Sequence, residues 1–304
     1  MTILNVGGGG FIGSALTDRL ADSGERVVVL DRDPPAADRE SVTAVEGDVT
    51  DDDDVADAIA EHDPDAVVTF AYLLGAESDE NPAQAVRVNC VGMDNVFRAA
   101  TAAGVDRVVY ASSIGVYGHP ESHDGPIAET AESLAAYREY PLLFYSATKQ
   151  LNEYQARLYA DRSDTEFVAV RPSIVFGPGR EGGLTEWASA LVTNPVHGES
   201  VHLPFRPDQR LGLVYRDDVA DLVAAVLDAD EVAHDAYNTG DITLTARELA
   251  DAVADEFDGT VTFDHDADPL PLVADASHER AAAEFDYAVT DLREAMARHA
   301  EAVR

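Results

Sequence analysis

The sequence nearly lacks lysine. Of its 21 basic residues 20 are arginine, and Lys149 is the only lysine. Cysteine is as scarce. Cys90 stands alone, which excludes an internal disulfide framework and a metal site built from several thiolates. It falls inside an apolar helical pattern, where a small buried side chain is the expected role. The nine histidines show no metal-ligand spacing, so no metal is expected. Neither a long apolar run nor a basic leader precedes the first glycines. No signal peptide or membrane span is therefore expected, and the expected compartment is the cytoplasm.

Positive charge as a whole is in deficit. Against 58 Asp and Glu, the 21 basic residues leave a formal net charge of -37. Such a surface repels polyanions, so nucleic acid and anionic membranes are not expected partners. Acidity alone would also suit a disordered chain. Here 46% of the residues are hydrophobic and fall in ordered runs, enough for a folded core. The acid is spread along the whole chain rather than gathered in a tail. At molar salt the Debye length falls to about 3 Å, and a carboxylate-covered surface stops repelling itself. Acid excess with missing lysine resembles the cytoplasmic proteins of salt-accumulating halophiles, and a haloarchaeal origin is the expectation. An acidic protein from ordinary salt would account for the acid but not for the lysines.

Short apolar, β-branched runs alternate with helical patterns. Strands are expected at 2–6, 26–30, 43–46, 66–70, 107–111 and 166–171, and helices at 14–23, 52–61, 83–103 and 145–160. That alternation implies an α/β fold with a parallel sheet covered on both faces. After Pro172 the pattern loosens, with Gly and Pro frequent from 176 to 207. Helices return at 217–227, 246–257 and 290–300, with a strand near 260–263. The expected division is a Rossmann-type doubly wound domain over 1–171, to which 211–238 returns. A smaller C-terminal α/β substrate-binding cap takes 172–210 and 239–304. The acids at 51–54 read as charge placed at a helix N-terminus rather than as a calcium loop.

Between the first strand and the first helix lies Gly7-Gly8-Gly9-Gly10-Phe11-Ile12-Gly13. Gly7, Gly10 and Gly13 are spaced G-x-x-G-x-x-G. The first permits a tight turn, the second lets backbone approach a pyrophosphate, and the third lets helix and strand pack closely. A tight turn without a ligand is the alternative. No Gly-Lys-Ser/Thr follows, so the loop is not a P-loop. Asp31 ends the next strand, where an acid would hydrogen-bond an adenosine ribose and repel a 2′-phosphate. That favours NAD over NADP, although Arg32 beside it acts the other way. Asp48, followed by Val49, either reaches toward the adenine or serves its own turn.

Tyr145 and Lys149 lie four residues apart, on one face of the expected helix. A free phenol, with a pKa of ~10, is a poor base at neutral pH, and a nearby ammonium would lower that value. Ser113 follows the strand at 107–111 and is placed to hydrogen-bond a substrate oxygen. Y-x-x-x-K is common by chance. Here the lysine is the only one in the chain, retained where an arginine could not replace an ammonium.

With these residues together, the sequence resembles the extended short-chain dehydrogenase/reductase superfamily, in its NAD-dependent epimerase/dehydratase branch. Landmarks cover most of the chain. They run from the glycine loop and Asp31 through Gly47-Asp48, Phe70-Ala71, Asn89 with Gly92 and Asn95, and Ser112-Ser113. They continue through Tyr145 and Lys149, Arg171-Pro172 with Gly177-Pro178, Asp217-Asp218, and Tyr237-Asn238 with Gly240. The resemblance implies catalysis by Ser113, Tyr145 and Lys149. It implies NAD contacts from Gly7, Gly10, Phe11, Ile12, Gly13, Asp31, Arg32, Asp48, Val49, Phe70, Ala71, Asn89, Tyr145 and Lys149. It also implies a homodimer through the helices at 84–103 and 145–160.

The expected reaction takes a proton and a hydride from a secondary hydroxyl of a sugar-like substrate, which is a sugar, a sugar acid or a sugar nucleotide. Net dehydrogenation is favoured slightly over epimerisation. Dehydratases of the family carry Asp-Glu where this chain has Ile114-Gly115, which argues against water elimination. Nucleotide-sugar epimerases usually carry Asn where Ile174 stands, which weakens that substrate class without removing it. Arg180 and Arg210 are candidates for a substrate carboxylate or phosphate, with surface ion pairing as the alternative. A non-catalytic dinucleotide sensor is the competing class, and the intact Ser113, Tyr145 and Lys149 argue against it. Dilution from molar KCl into low-salt buffer is expected to lower both NAD affinity and melting temperature. Equal values in the two buffers would contradict a salt-adapted surface.

Overall fold

The first half of the chain repeats one unit: an apolar strand, a turn and an amphipathic helix. A computed structural model describes residues 1–123, 125–132, 143–180, 182–183, 185–257, 259–268 and 273–304. The chain begins β1 (Thr2–Val6), α1 (Phe11–Asp22), β2 (Arg26–Asp31), β3 (Val42–Glu46), α2 (Asp52–His62) and β4 (Ala66–Thr69). Next come α3 (Gly75–Glu80), α4 (Pro82–Val86), a π-helical stretch (Arg87–Gly92), α5 (Met93–Ala103), β5 (Arg107–Ala111), α6 (Leu143–Ala160) and β6 (Glu166–Arg171). The second half contributes β7 (Ile174–Phe176), α7 (Trp187–Val196), β8 (Val201–Leu203), β9 (Arg210–Tyr215), α8 (Arg216–Asp228) and β10 (Ala236–Asn238). The chain ends with β11 (Ile242–Thr245), α9 (Ala246–Glu256), β12 (Val261–Phe263), α10 (Glu279–Phe285) and α11 (Leu292–Val303).

Seven strands form one parallel sheet in the order β10-β6-β5-β4-β1-β2-β3. Strand side chains alternate between faces, and both faces are buried. Leu4 and Val6 enter a core with Val55, Phe97 and Ala156 from α2, α5 and α6. Ile3 enters the opposite core with Leu16, Val219 and Val223 from α1 and α8. Asn5 interrupts the apolar run. Its Nδ2 donates to Gly13 O and Thr17 Oγ1, both at 2.9 Å, fastening β1 to α1. The strand order reverses at β1, with β2 on one side and β4 on the other, which opens a crevice beyond the carboxyl ends of the strands.

A second layer follows Pro172. Strands β11-β9-β7 form a small sheet, and β12 pairs in parallel with β8. Phe176, Leu191, Leu203, Leu213, Leu249 and Met296 fill its core. Three-residue strands and a proline inside α7, Pro195, hide the periods that a sequence reading needs. Part of the final segment leaves this layer. Ala281, Phe285 and Tyr287 pack into the core of the large sheet beside α8.

The helix expected over 83–103 is not one regular helix. A π-helical stretch separates α4 from α5. Within it the fully buried Asn89 side chain pairs with both backbone groups of Leu73, accepting at 2.7 Å and donating at 3.0 Å. The acids at 51–54 act as expected. Asp51 caps α2 by accepting from Asp53 N–H, and three more acids occupy the first turn. No helix among the described residues is long and apolar enough to cross a membrane.

Candidate active site

β1 ends at the reversal of strand order, and Gly7 turns the chain there with φ +78°. A Cβ on Gly7 would come 2.5 Å from Ala71 N, and one on Gly13 would come 2.2 Å from Gly7 O. Both positions require glycine. Helix α1 starts with no side-chain cap and no acid in its first turn. Its leading N–H groups and their partial positive charge are left for an anion. Asp31 Oδ2 accepts from Gly9 N–H at 3.0 Å, so the carboxylate at the end of β2 is held against the loop. A close backbone, uncapped helix N–H groups and this acid fit a dinucleotide.

The crevice is a cleft of about 290 Å³. The glycine cradle forms one wall, with Phe11, Ile12 and Phe70, and Ser113, from the loop after β5, converges on it with Tyr145 and Lys149 from α6. Ser113 Oγ accepts from Gly115 N–H at 3.1 Å and hydrogen-bonds the Tyr145 phenol. Burial pushes that phenol up to about 12, while Ser113 and the Arg180 guanidinium pull the other way. Lys149 is 2% exposed. Its Nζ donates to Ala111 O at 2.6 Å and lies 3.3 Å from the centre of the Tyr72 ring. Burial pushes its pKa well down, against the pull of Glu153.

Lys149 Nζ also lies 5.6 Å from the centre of the Tyr145 ring. The ammonium is spent on a carbonyl and on the face of Tyr72. The Arg180 guanidinium also favours the ionised form of Tyr145.

Tyr72 itself was not anticipated. Its hydroxyl donates toward Thr148 Oγ1 at 2.8 Å and Asn152 Oδ1 at 3.1 Å, and its ring meets that of Tyr145 edge-on at 5.7 Å. The only signal in the sequence is its place just after β4.

A second unanticipated group braces the site. Glu153, one turn beyond Lys149 on α6, accepts from Ser112 Oγ at 2.6 Å, Arg171 Nε at 2.8 Å and Arg171 Nη2 at 2.7 Å. The pair is almost wholly buried, with side chains 4% and 6% exposed. Arg171 also donates to the Tyr117 hydroxyl at 2.7 Å.

Other expected site residues lie apart from this cleft. Asp48 Oδ1 accepts from Thr50 N–H at 2.8 Å, closing its own turn. Val49 packs on Gly92, Ala71 packs under Gly7, and Asn89 faces Leu73. Arg32 is exposed. Arg210 is exposed and pairs loosely with Asp275 at 3.9 Å. Arg180, by contrast, lines the cleft with Thr185 and Val273. Ile114 and Ile174 line it as well. Gly115 leaves no room for a side chain, because a Cβ there would come 2.7 Å from Ser146 Oγ.

A sequence model of the NAD dependent epimerase/dehydratase family matches residues 3–240. A UDP-glucose 4-epimerase of Rhizobium leguminosarum bv. trifolii is 34% identical over 190 residues, 61% of this chain and 55% of that one. A 2-alkyl-3-oxoalkanoate reductase of Stenotrophomonas maltophilia is 34% identical over 180 residues, 59% of this chain and 52% of that one. The chain spans about half the length of these curated relatives. Among solved structures, the UDP-glucose 4-epimerase of Thermus thermophilus in complex with NAD gives a TM-score of 0.80 at 25% identity. The match covers 100% of this chain and 99% of that one.

The brace predicts a measurable cost. Glu153→Ala strands the Arg171 charge in the interior and is expected to destabilise the fold by about 3–5 kcal/mol. The loss would be read as a lower urea midpoint. Glu153→Gln keeps an acceptor and should cost less. A midpoint unmoved by Glu153→Ala would show that the pair does not hold the helix.

Proposed function

The chain belongs to the NAD dependent epimerase/dehydratase family, and from that premise we propose that it reversibly oxidises a secondary hydroxyl of a small polar substrate. Tyr145 carries the proposal: a phenol hydrogen-bonded to Ser113 in the cleft onto which the glycine cradle opens. NAD, when bound, supplies the two-electron acceptor for the carbinol hydrogen, which leaves as hydride. Gly7, Gly10, Phe11, Ile12 and Gly13 hold its pyrophosphate, Asp31 its adenosine ribose and Lys149 its other ribose. The charge of Asp31 selects NAD over NADP.

Tyr145, as phenolate, takes the hydroxyl proton. Ser113 donates to the oxygen as it becomes a carbonyl. Arg180 biases the phenol toward its ionised form. The product is a ketone. Net dehydrogenation is the preferred outcome, and water elimination is opposed by Ile114 and the cramped Gly115. Nucleotide-sugar 4-epimerisation is the second reading, favoured by the name of the Rhizobium relative. The Stenotrophomonas relative is named as a reductase, and both outcomes use the same reversible oxidation. A non-catalytic sensor would have no use for an intact Ser113, Tyr145 and Lys149.

The proposed partner is a second copy of the chain. Val91, on the π-helical stretch, and Leu151, Tyr154 and Leu158, on α6, are between 43% and 52% exposed. The two elements pack side by side. Together they present an apolar face larger than scattered surface residues would give. The proposed setting is a cytoplasm rich in salt, which the charge of -37 supports.

Tyr145→Phe is expected to abolish NADH production and epimerisation while sparing NAD binding, and surviving activity would sink the mechanism. Only the deprotonated phenol accepts the proton, and its pKa is pushed up to about 12. Wild-type kcat/KM should therefore fall as pH drops through the neutral range. A flat profile would point to another base. Sedimentation should find a dimer that Leu151→Asp with Leu158→Asp converts to monomer. An unchanged mass in the double variant would refute that face as the contact.

A further inference from the structure

Arg180 sits in the cleft with a donor to spare. Its Nη1 donates to Val175 O at 3.2 Å, and its guanidinium lies 5.3 Å from the centre of the Phe11 ring. Its Nε is buried and finds no acceptor among the described residues. An unmet buried donor costs about 1–3 kcal/mol, more when the group is charged. Arg206 and Arg216 are each bonded to an aspartate close by in sequence, and Arg210 pairs with Asp275. Arg180 differs from them in keeping a buried N–H with no acceptor among the described residues.

We propose that Arg180 anchors a substrate carboxylate, so that the cleft takes a short hydroxy acid with an aliphatic body, a proposal that rests on the oxidation assigned above to Tyr145. The planar fork of a guanidinium matches the two oxygens of a carboxylate. In a chain with 58 acids, none lines the cleft among the described residues. The Glu186 carboxylate acts on Arg180 from outside that lining.

The rest of the wall sets the body of the substrate. Leu74, Ile114, Ile174 and Val273 are aliphatic and line the same space. An aliphatic body would pack against these four side chains, with Ser173 and Thr185 as the hydroxyls beside them. A substrate diphosphate held by side-chain cations would need a second one beside Arg180. The other guanidinium near Phe11, that of Arg216, is committed to Asp217 and to Pro178 O at 2.8 Å. Arg180 and Tyr145 are close enough to bias each other's proton equilibria. Both residues also line the one cleft, and a 2- or 3-hydroxy acid is the short substrate that would place its carboxylate and hydroxyl there together. The hydroxyl proton goes to Tyr145, the carbinol hydrogen leaves with two electrons to NAD, and a 2- or 3-oxo acid and NADH result.

The test compares lactate, 3-hydroxybutanoate and 3-hydroxypentanoate with 3-hydroxybutanamide, glucose and UDP-glucose. NADH is read in molar KCl for the wild type, Arg180→Gln, Arg180→Lys and Tyr145→Phe. NAD affinity is measured separately by calorimetry on each variant. At least one hydroxy acid should be oxidised well above its amide. Arg180→Gln should lower kcat/KM for it on the order of 100-fold. Arg180→Lys should recover part of that loss, and NAD affinity should not change. Butanoate should compete with the hydroxy acid in the wild type and not in Arg180→Gln.

Oxidation of UDP-glucose or glucose with the hydroxy acids idle would overturn the carboxylate anchor and leave Tyr145 in its role. Weakened NAD binding in Arg180→Gln, with the acid-to-amide ratio intact, would assign Arg180 to the cofactor and overturn it equally. No NADH from any hydroxy acid would also refute it. NADH from Tyr145→Phe would instead remove the oxidation on which the proposal stands.

Discussion

The carboxylate of Glu153 joins the two halves of the candidate active site. From α6 it reaches Ser112 at the end of β5 and both arms of the Arg171 fork at the end of β6. Tyr145 and Lys149 stand on the same helix, and Ser113 follows Ser112. One buried ion pair thus sets the distance between a serine on a loop and a tyrosine on a helix, which the chemistry needs fixed. A buried pair gains little net stability over apolar packing, and its strength here lies in specifying position. Tyr117 and Asn238 extend the network to β10, so the edge strand of the large sheet is referenced to the same point.

The surface and the cleft obey opposite electrostatic rules. Outside, carboxylates dominate. Inside, the described lining carries Lys149 and Arg180, uncapped helix N–H groups and no carboxylate. A dinucleotide is itself an anion, so a strongly acidic protein that binds one would have to hold it by local means. Backbone donors, fixed by glycine sterics and a helix dipole, do this without adding charge to the surface.

Part of this was legible in sequence because it rests on sterics or on contrast. Gly7 and Gly13 are required by approaches that no Cβ permits, and their spacing states as much. Lys149 stood out because no other lysine competes with it. The alternation of apolar strands and helices marked six strands of the large sheet, since strands buried on both faces read as continuous apolar runs, and missed the three-residue β10. Glu153 had the opposite fate, because one carboxylate among 58 acids carries no contrast. Tyr72 lies on no periodic element, and its partners Thr148 and Asn152 are distant in sequence. The second layer was blurred by strands of three residues, too short to show alternation. Arg180 looked like Arg206 and Arg210 in sequence, and only burial separated it from them.

The burial of Lys149 also decides how this surface meets reagents. With the single lysine 2% exposed, the outside of the molecule presents no side-chain amine. Acylating probes and amine-bridging cross-linkers have no lysine to reach there while the fold is intact. Acetylation or conjugation directed at lysine has no surface target either. The first such reaction at a side chain would require the active site to open, so amine labelling of this protein reports on exposure of its catalytic centre.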